Sequence, residues 1–145
     1  MPTIAAKTNY MAQAILNHLL SKDEYTPPST MYVGLYDVDP GKAGTDGTEV
    51  TGGGYARQPV TFGDVSGEGV VVNSEAVIFP DVTSPWGSVA GFALLDAETG
   101  GNILYRGDLE RMDPDNPGEY IPQATTPAVG DVFIIKAGQL VLSER

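Results

Sequence analysis

The sequence predicts a mainly β fold: an antiparallel β-sandwich carrying one N-terminal α-helix. Apolar segments are short, and turn chemistry separates them every eight to twelve residues or so. The 18 Gly and 11 Pro in 145 residues supply those turns. One stretch near the N-terminus has helical period, with Met11, Ile15 and Leu19 at i, i+4 and i+8. This length corresponds to about one domain, and no composition shift marks a boundary. The expected organisation is a single domain over 1–145, with a helical N-terminal segment at 1–25. A β-sandwich follows at 26–145, with an extended loop at about 110–127.

The stretch that organises the chain is Ser84 to Leu109. Val89 to Leu95 is an unbroken run of apolar residues and Gly, which predicts a strand covered on both faces. Ile103 to Leu109 alternates and predicts its hairpin partner. Asp96 to Asn102 lies between them, with two Gly for positive φ and Asp and Asn to bond their own backbone. Gly91, Val89 and the flanking Pro85 and Gly87 argue against a buried helix here.

The remaining elements follow in order. Thr8 or Thr3 caps the helix, which runs to about Leu20, and Ser21-Lys22-Asp23 followed by Pro27-Pro28 ends it. Leu16, Leu20 and Ala12 widen its apolar stripe, and a helix this short needs something to pack on. Met31 to Tyr36 is the first strand of the sandwich, and Asp37 to Glu49 is a loop. Glu49-Val50-Thr51 reads as a short edge strand. Tyr55 to Phe62 alternates, but Pro59 cannot donate to a ladder, so it belongs on an edge or at a bulge. Val70 to Asn73 and Ala76 to Phe79 read either as two strands or as one strand broken by a bulge at Asn73-Ser74. Asp131 to Ala137 and Gln139 to Leu142 close the chain, turning or kinking at Gly138.

The formal net charge of -11 repels phosphate backbones, so no nucleic-acid partner is expected. No run approaches the 18 or so apolar residues of a membrane span, so no membrane partner is expected either. The N-terminus lacks a basic region followed by an apolar one, so no secretory leader is expected. With no cysteine, neither a disulfide nor a thiolate metal site is available.

No motif for catalysis emerges. His18 is the single histidine and has no Ser or Cys motif beside it. Nucleophile-elbow, P-loop and zinc spacings are missing, so no catalytic residue, cofactor or metal is expected. Two acidic turns begin like calcium loops, at Asp37-Val38-Asp39 and at Asp113-Pro114-Asp115. Their twelfth positions are Thr48 and Ala124, and neither has a complete ligand set. Tyr55, Trp86 and Tyr105 are candidates for a sugar-stacking platform, although packing is the commoner role of such residues. Two apolar groups are candidate interfaces. The first is the helix stripe Met11, Ile15 and Leu19, to be covered by its own sheet or by a neighbouring subunit. The second is Met112, Tyr120 and Ile121 in the 110–127 stretch, whose prolines lower the ordering cost of docking.

An ordered set of short segments carries a resemblance. It comprises Tyr32-Val33-Gly34-Leu35-Tyr36, Glu49-Val50, and Gly53-Gly54-Tyr55-Ala56-Arg57-Gln58-Pro59-Val60. It continues with Val77-Ile78-Phe79-Pro80, Trp86-Gly87 and Gly100 to Gly107, and ends with Gly130-Asp131 and Ala137-Gly138-Gln139-Leu140. Over nearly its whole length the chain resembles a family of small tailed-bacteriophage proteins described as tail-fibre-like or minor tail proteins. The resemblance implies a non-enzymatic virion structural protein of mainly β architecture, assembled in the host cytoplasm with other virion proteins and as a homo-oligomer. Tail, fibre and capsid-decoration positions all fit it. The alternative is a carbohydrate-binding receptor module that contacts a host surface glycan.

Overall fold

A computed structural model of the chain describes residues 3–144. The elements in chain order are β1 (Thr3–Lys7), α1 (Asn9–Leu19), β2 (Met31–Tyr36), β3 (Gln58–Val60), β4 (Val70–Val72), β5 (Val77–Ile78), β6 (Gly91–Leu95), β7 (Ile103–Asp108), β8 (Glu110–Met112), β9 (Tyr120–Pro122), β10 (Ile134–Ile135) and β11 (Leu140–Ser143). Seven strands form one sheet in the order β3-β2-β6-β7-β1-β11-β4, while β10-β5 and β8-β9 form two small ladders. The fold is mainly β with one helix, as the sequence predicts. The β1–β11 pair runs parallel, and the other pairs of named strands are antiparallel.

Strand β6 is central in space as well as in sequence. All five of its residues are buried. Phe92 and Leu94 point to one face, where they join Val33 and Leu35 of β2 and Leu140 of β11. Val77 and Ile135 of the small β10-β5 ladder complete that core from the opposite layer, together with Phe79, Val82, Trp86 and Val89. Ala93 and Leu95 point the other way, to a smaller cluster with Tyr36 and Ile103. The loop after β2 crosses this second face. It passes so close to Gly91 that a β-carbon there would lie 2.5 Å from the backbone of Val38 and Asp39. Both sides of β6 are therefore covered, which is why its sequence shows no polar alternation.

The hairpin turn is built as the sequence predicts. Gly100 and Gly101 have φ of 61° and 75°. Asp96 Oδ1 accepts the Asn102 N–H at 2.7 Å, and Asn102 Nδ2 donates to Asp96 Oδ2 at 3.1 Å. Pro59 lies on β3, one of the sheet's two edge strands, opposite Tyr32. Residues 70–79 form two strands in different sheets. Between those strands sits Asn73, whose buried amide donates to the carbonyls of Glu75 and Lys136 and accepts from the Leu140 N–H. Gly138 turns the chain between β10 and β11 at φ 81°.

In the N-terminal segment the helix is capped at Thr8 and ends near Leu20, as one of the two expected caps has it, but the stretch before it is not a mere leader. Thr3–Lys7 is a strand inserted between β7 and β11, and α1 begins only at Asn9. Its residues Thr-Ile-Ala-Ala-Lys carry no decisive period, and the vacant sheet position decides their conformation. Thr3 therefore lies in the sheet, and Thr8 is the cap. The Thr8 Oγ1 accepts the Met11 N–H and donates to the Ile103 carbonyl of β7, which anchors the helix to the sheet. Met1 and Pro2 lie outside the described residues.

The 110–127 stretch also departs from its expected form as a loop. Its two arms are β8 and β9, paired in register with Arg111 opposite Ile121. Thr125 then bridges back to Val89. Charged residues and Pro122 hide this hairpin in the sequence, because arms of three residues leave no apolar alternation to read.

Helix α1 ends with Ser21 at φ 57°. The Ser21 N–H donates to the His18 carbonyl and the Lys22 N–H to the Asn17 carbonyl, the two bonds of a Schellman turn. A serine held in the left-handed region carries strain that glycine would not. Ser21→Gly is expected to raise stability by about 0.5–1 kcal/mol. Leu94→Ala is expected to lower it by about 2–5 kcal/mol. Urea denaturation of the two variants against the parent measures both effects.

Candidate functional site

The most extensively bonded polar cluster in the described residues is Glu49, Tyr55 and Arg57. Glu49 forms a bridge opposite Tyr36 at the end of β2, while Tyr55 and Arg57 approach on the segment leading into β3. Arg57 Nε and Nη2 donate to the two Glu49 oxygens, each at 2.8 Å, as a bidentate pair. The Tyr55 hydroxyl donates to Glu49 Oε2 at 2.6 Å and accepts the Leu35 N–H at 3.0 Å. Arg57 Nη1 donates to the carbonyls of Ala97 and Gly100 in the β6–β7 turn, at 2.9 and 2.8 Å. The cluster thus ties the edge of the sheet to its central hairpin. Gly34 of β2 makes room for it, since a β-carbon there would lie 2.9 Å from Glu49 Oε2 and 3.3 Å from the Tyr55 hydroxyl.

Burial by itself would raise the Glu49 pKa. The hydrogen bonds from Arg57 and Tyr55 outweigh burial and hold the carboxyl below its ordinary value. The Tyr55 phenol is pushed well above its ordinary range, first by burial and then by its bond to Glu49. Every polar group here is matched within the chain, so the cluster acts as a brace. The sequence reading missed it, although Glu49, Tyr55 and Arg57 lie close together in the chain.

The three aromatic candidates do not assemble into an exposed platform. Trp86 is buried, with its Nε1–H donating to the Gly53 carbonyl at 2.8 Å. Tyr55 stands edge-on to Trp86 at 5.5 Å and stacks on Phe79 at 6.2 Å, within the core. Tyr105 belongs elsewhere, where its hydroxyl donates to Glu144 Oε1 at 2.6 Å beside the Lys7–Glu144 ion pair. The reason is energetic, since these rings bury more apolar area in the core than a sugar would cover.

The acidic turns use their carboxylates on N–H groups of the chain. Asp37 Oδ1 accepts from Thr48, and Asp39 accepts from Gly41 and from Arg106 Nη1. Asp113 accepts from the Asp115 N–H and from Asn116 Nδ2. Among the described residues no three His, Cys, Asp or Glu gather as metal ligands would.

The candidate interface residues divide. Met11 is buried beneath α1 and is not part of an exposed stripe. Ile15 and Leu19 are exposed, the latter to 73%, and Leu16 and Leu20 stand exposed beside them. Met112 and Tyr120 pair across the β8–β9 hairpin, both exposed, while Ile121 is half-buried opposite Arg111. The structure does not bring the two groups together. The helix is anchored at the start of β7 and the hairpin leaves from its end, about 20 Å along the strand.

A pH dependence follows from Glu49. Its folded pKa is lowered, so its contribution is present above the ordinary carboxylate range and is lost as pH falls through the depressed folded value. Glu49→Gln is expected to cost about 1.5–3 kcal/mol at neutral pH. The gap from the parent should close on acidification below about pH 4. Chemical denaturation across pH 2–8 (approximate limits, chosen to span the carboxylate range) measures this, and a gap that stays constant would remove the brace.

Comparison with known proteins follows the same residues. The family model described as podophage GP4 fiber I protein gp80 matches residues 6–143. A comparison with curated proteins finds no match. The matched span runs from β1 to β11 and includes the Glu49–Tyr55–Arg57 brace, the Trp86–Gly53 bond and the β6–β7 hairpin. The chain therefore belongs to the podophage GP4 fiber I protein gp80 family and is a fibre-type structural protein of a tailed-phage virion.

Proposed function

We propose that this protein is a fibre component that assembles by protein–protein contacts and works by binding rather than by catalysis. The observation that carries the reading is the row of exposed apolar side chains Ile15, Leu16 and Leu19 on α1, continued by Leu20 at its C-cap. An apolar row on the one helix among the described residues of a chain with net charge -11 is costly to leave in water, and a contiguous patch of this kind marks an interaction surface. The β8–β9 hairpin is the second contact, offering Met112 and Tyr120 from one face of a projecting ladder. Because the two surfaces leave opposite ends of β7, one subunit can engage two neighbours. That geometry suits the homo-oligomeric, symmetric sites of a virion.

The test is Leu16→Glu/Leu19→Glu, with light scattering on the purified protein and with particle incorporation. The parent is expected to be oligomeric at micromolar concentration and the variant smaller and poorly incorporated, with its thermal midpoint unchanged. A monomeric parent would count against self-association. Replacing residues 112–123 with a short Gly-Ser linker tests the hairpin, and normal incorporation of that variant would remove it from the assembly.

A further inference from the structure

The β8–β9 ladder has two faces, and they differ. The register that sets Arg111 opposite Ile121 continues inward, where the Gln123 N–H donates to the Leu109 carbonyl. Side chains alternate across a ladder, so Leu109, Ile121 and Gln123 share one face while Met112 and Tyr120 share the other. Leu109 and Gln123, with Thr125, form one wall of a groove of about 380 Å³. Strand β10 and its flanks form the other wall, with Val132, Ile134 and Lys136.

The β10 wall is unspent. The strand has a partner on one edge only, which is β5. Ile134 and its cross-strand neighbour Ile78 are 48% and 56% exposed, and Val132 is exposed beside them. Lys136 brings a positive charge to the groove, and among the described residues it enters no ion pair. The groove therefore suits an apolar ridge with negative charge at its end.

The chain carries such a ridge itself. Met112 and Tyr120 are exposed on the far face of the hairpin. Asp113 spends its carboxylate within the hairpin turn, on the Asp115 N–H and Asn116 Nδ2. The side chains of Asp115 and Glu119 at the same tip have no hydrogen bond or ion pair among the described residues. The ridge cannot fill the groove of its own subunit, because Met112 and Tyr120 point away from it. A polyanion would meet one lysine on a chain of net charge -11 and be repelled.

We propose that this groove receives the β8–β9 hairpin of a second copy of the chain. Met112 and Tyr120 of one subunit cover Val132 and Ile134 of the next, and the acidic tip meets Lys136. The proposal rests on the reading of the hairpin as an assembly contact and adds the surface that it meets. Two different patches are joined, so the contact is heterologous. Each subunit gives one hairpin and receives another, and repetition closes a ring or runs on as a filament.

The chain has no cysteine, so introduced thiols report the contact directly. Full-length Tyr120→Cys and Ile134→Cys chains, carrying different tags, are co-expressed and mildly oxidised. The expected product is a disulfide-linked dimer with both tags, since the bond needs Cα atoms within about 7 Å. Neither variant expressed alone should link to itself. Lys136→Glu should weaken association about tenfold by light scattering, and Asp115→Lys/Glu119→Lys in the same chain should restore it. The Lys136 side chain is exposed, so the thermal midpoint should hold. A monomeric parent would overturn the assembly reading and this proposal with it. With an oligomeric parent, this proposal alone is overturned by any of three results: no mixed disulfide, a Tyr120→Cys chain that links to itself, or association indifferent to Lys136→Glu.

Discussion

Burial of β6 on both faces is the constraint from which the rest of the architecture follows. A strand with Phe92 and Leu94 on one side and Ala93 and Leu95 on the other cannot lie at the surface of a single sheet. It needs a layer on each side. The small β10-β5 ladder and the 79–89 segment provide one, and the loop after β2 provides the other. Strands β2 and β7 must flank it to satisfy its backbone, so the sheet grows outward from β6 in both directions. The apolar area removed from water at this strand outweighs the short length and poor propensity of the peripheral strands.

Three polar connections then hold the periphery in place. Thr8 joins the helix start to β7, and Asn73 joins the chain between β4 and β5 to β11 and the end of β10. The Glu49–Tyr55–Arg57 brace joins the sheet edge to the central turn. Each is internally matched, which is what makes a polar group tolerable where water is scarce. Losing one partner would leave the others unpaired, at a cost larger than the bond itself contributes. These positions therefore specify one arrangement among the many that a Gly-rich and Pro-rich chain could reach.

The surfaces left for function are those that this framework does not consume. The aromatic rings are spent on the core, and the clustered carboxylates of the acidic turns are spent on backbone N–H groups. What remains includes exposed apolar side chains on α1, on the β8–β9 hairpin and on the β5–β10 ladder, where Ile78 pairs with Ile134. The helix presents Ile15, Leu16 and Leu19 to solvent, with Leu20 exposed at its C-cap.

The sequence by itself determined the fold class, the central hairpin with its Asp96–Asn102 turn, the edge position of Pro59 and the family. These are legible because they rest on local signals: apolar runs, turn residues, the missing N–H of proline, and an ordered set of short segments. Tertiary structure alone decided that Thr3–Lys7 is a strand, that 110–122 folds as a hairpin, and that Trp86 and Tyr55 face inward. It alone set Tyr25 beside Tyr10 and Arg57 against the carbonyls of Ala97 and Gly100. The physical reason is the same in each case. A segment of weak local preference takes the conformation that fills a vacant sheet position or satisfies a distant partner, and neither the vacancy nor the partner exists until the chain has folded around β6.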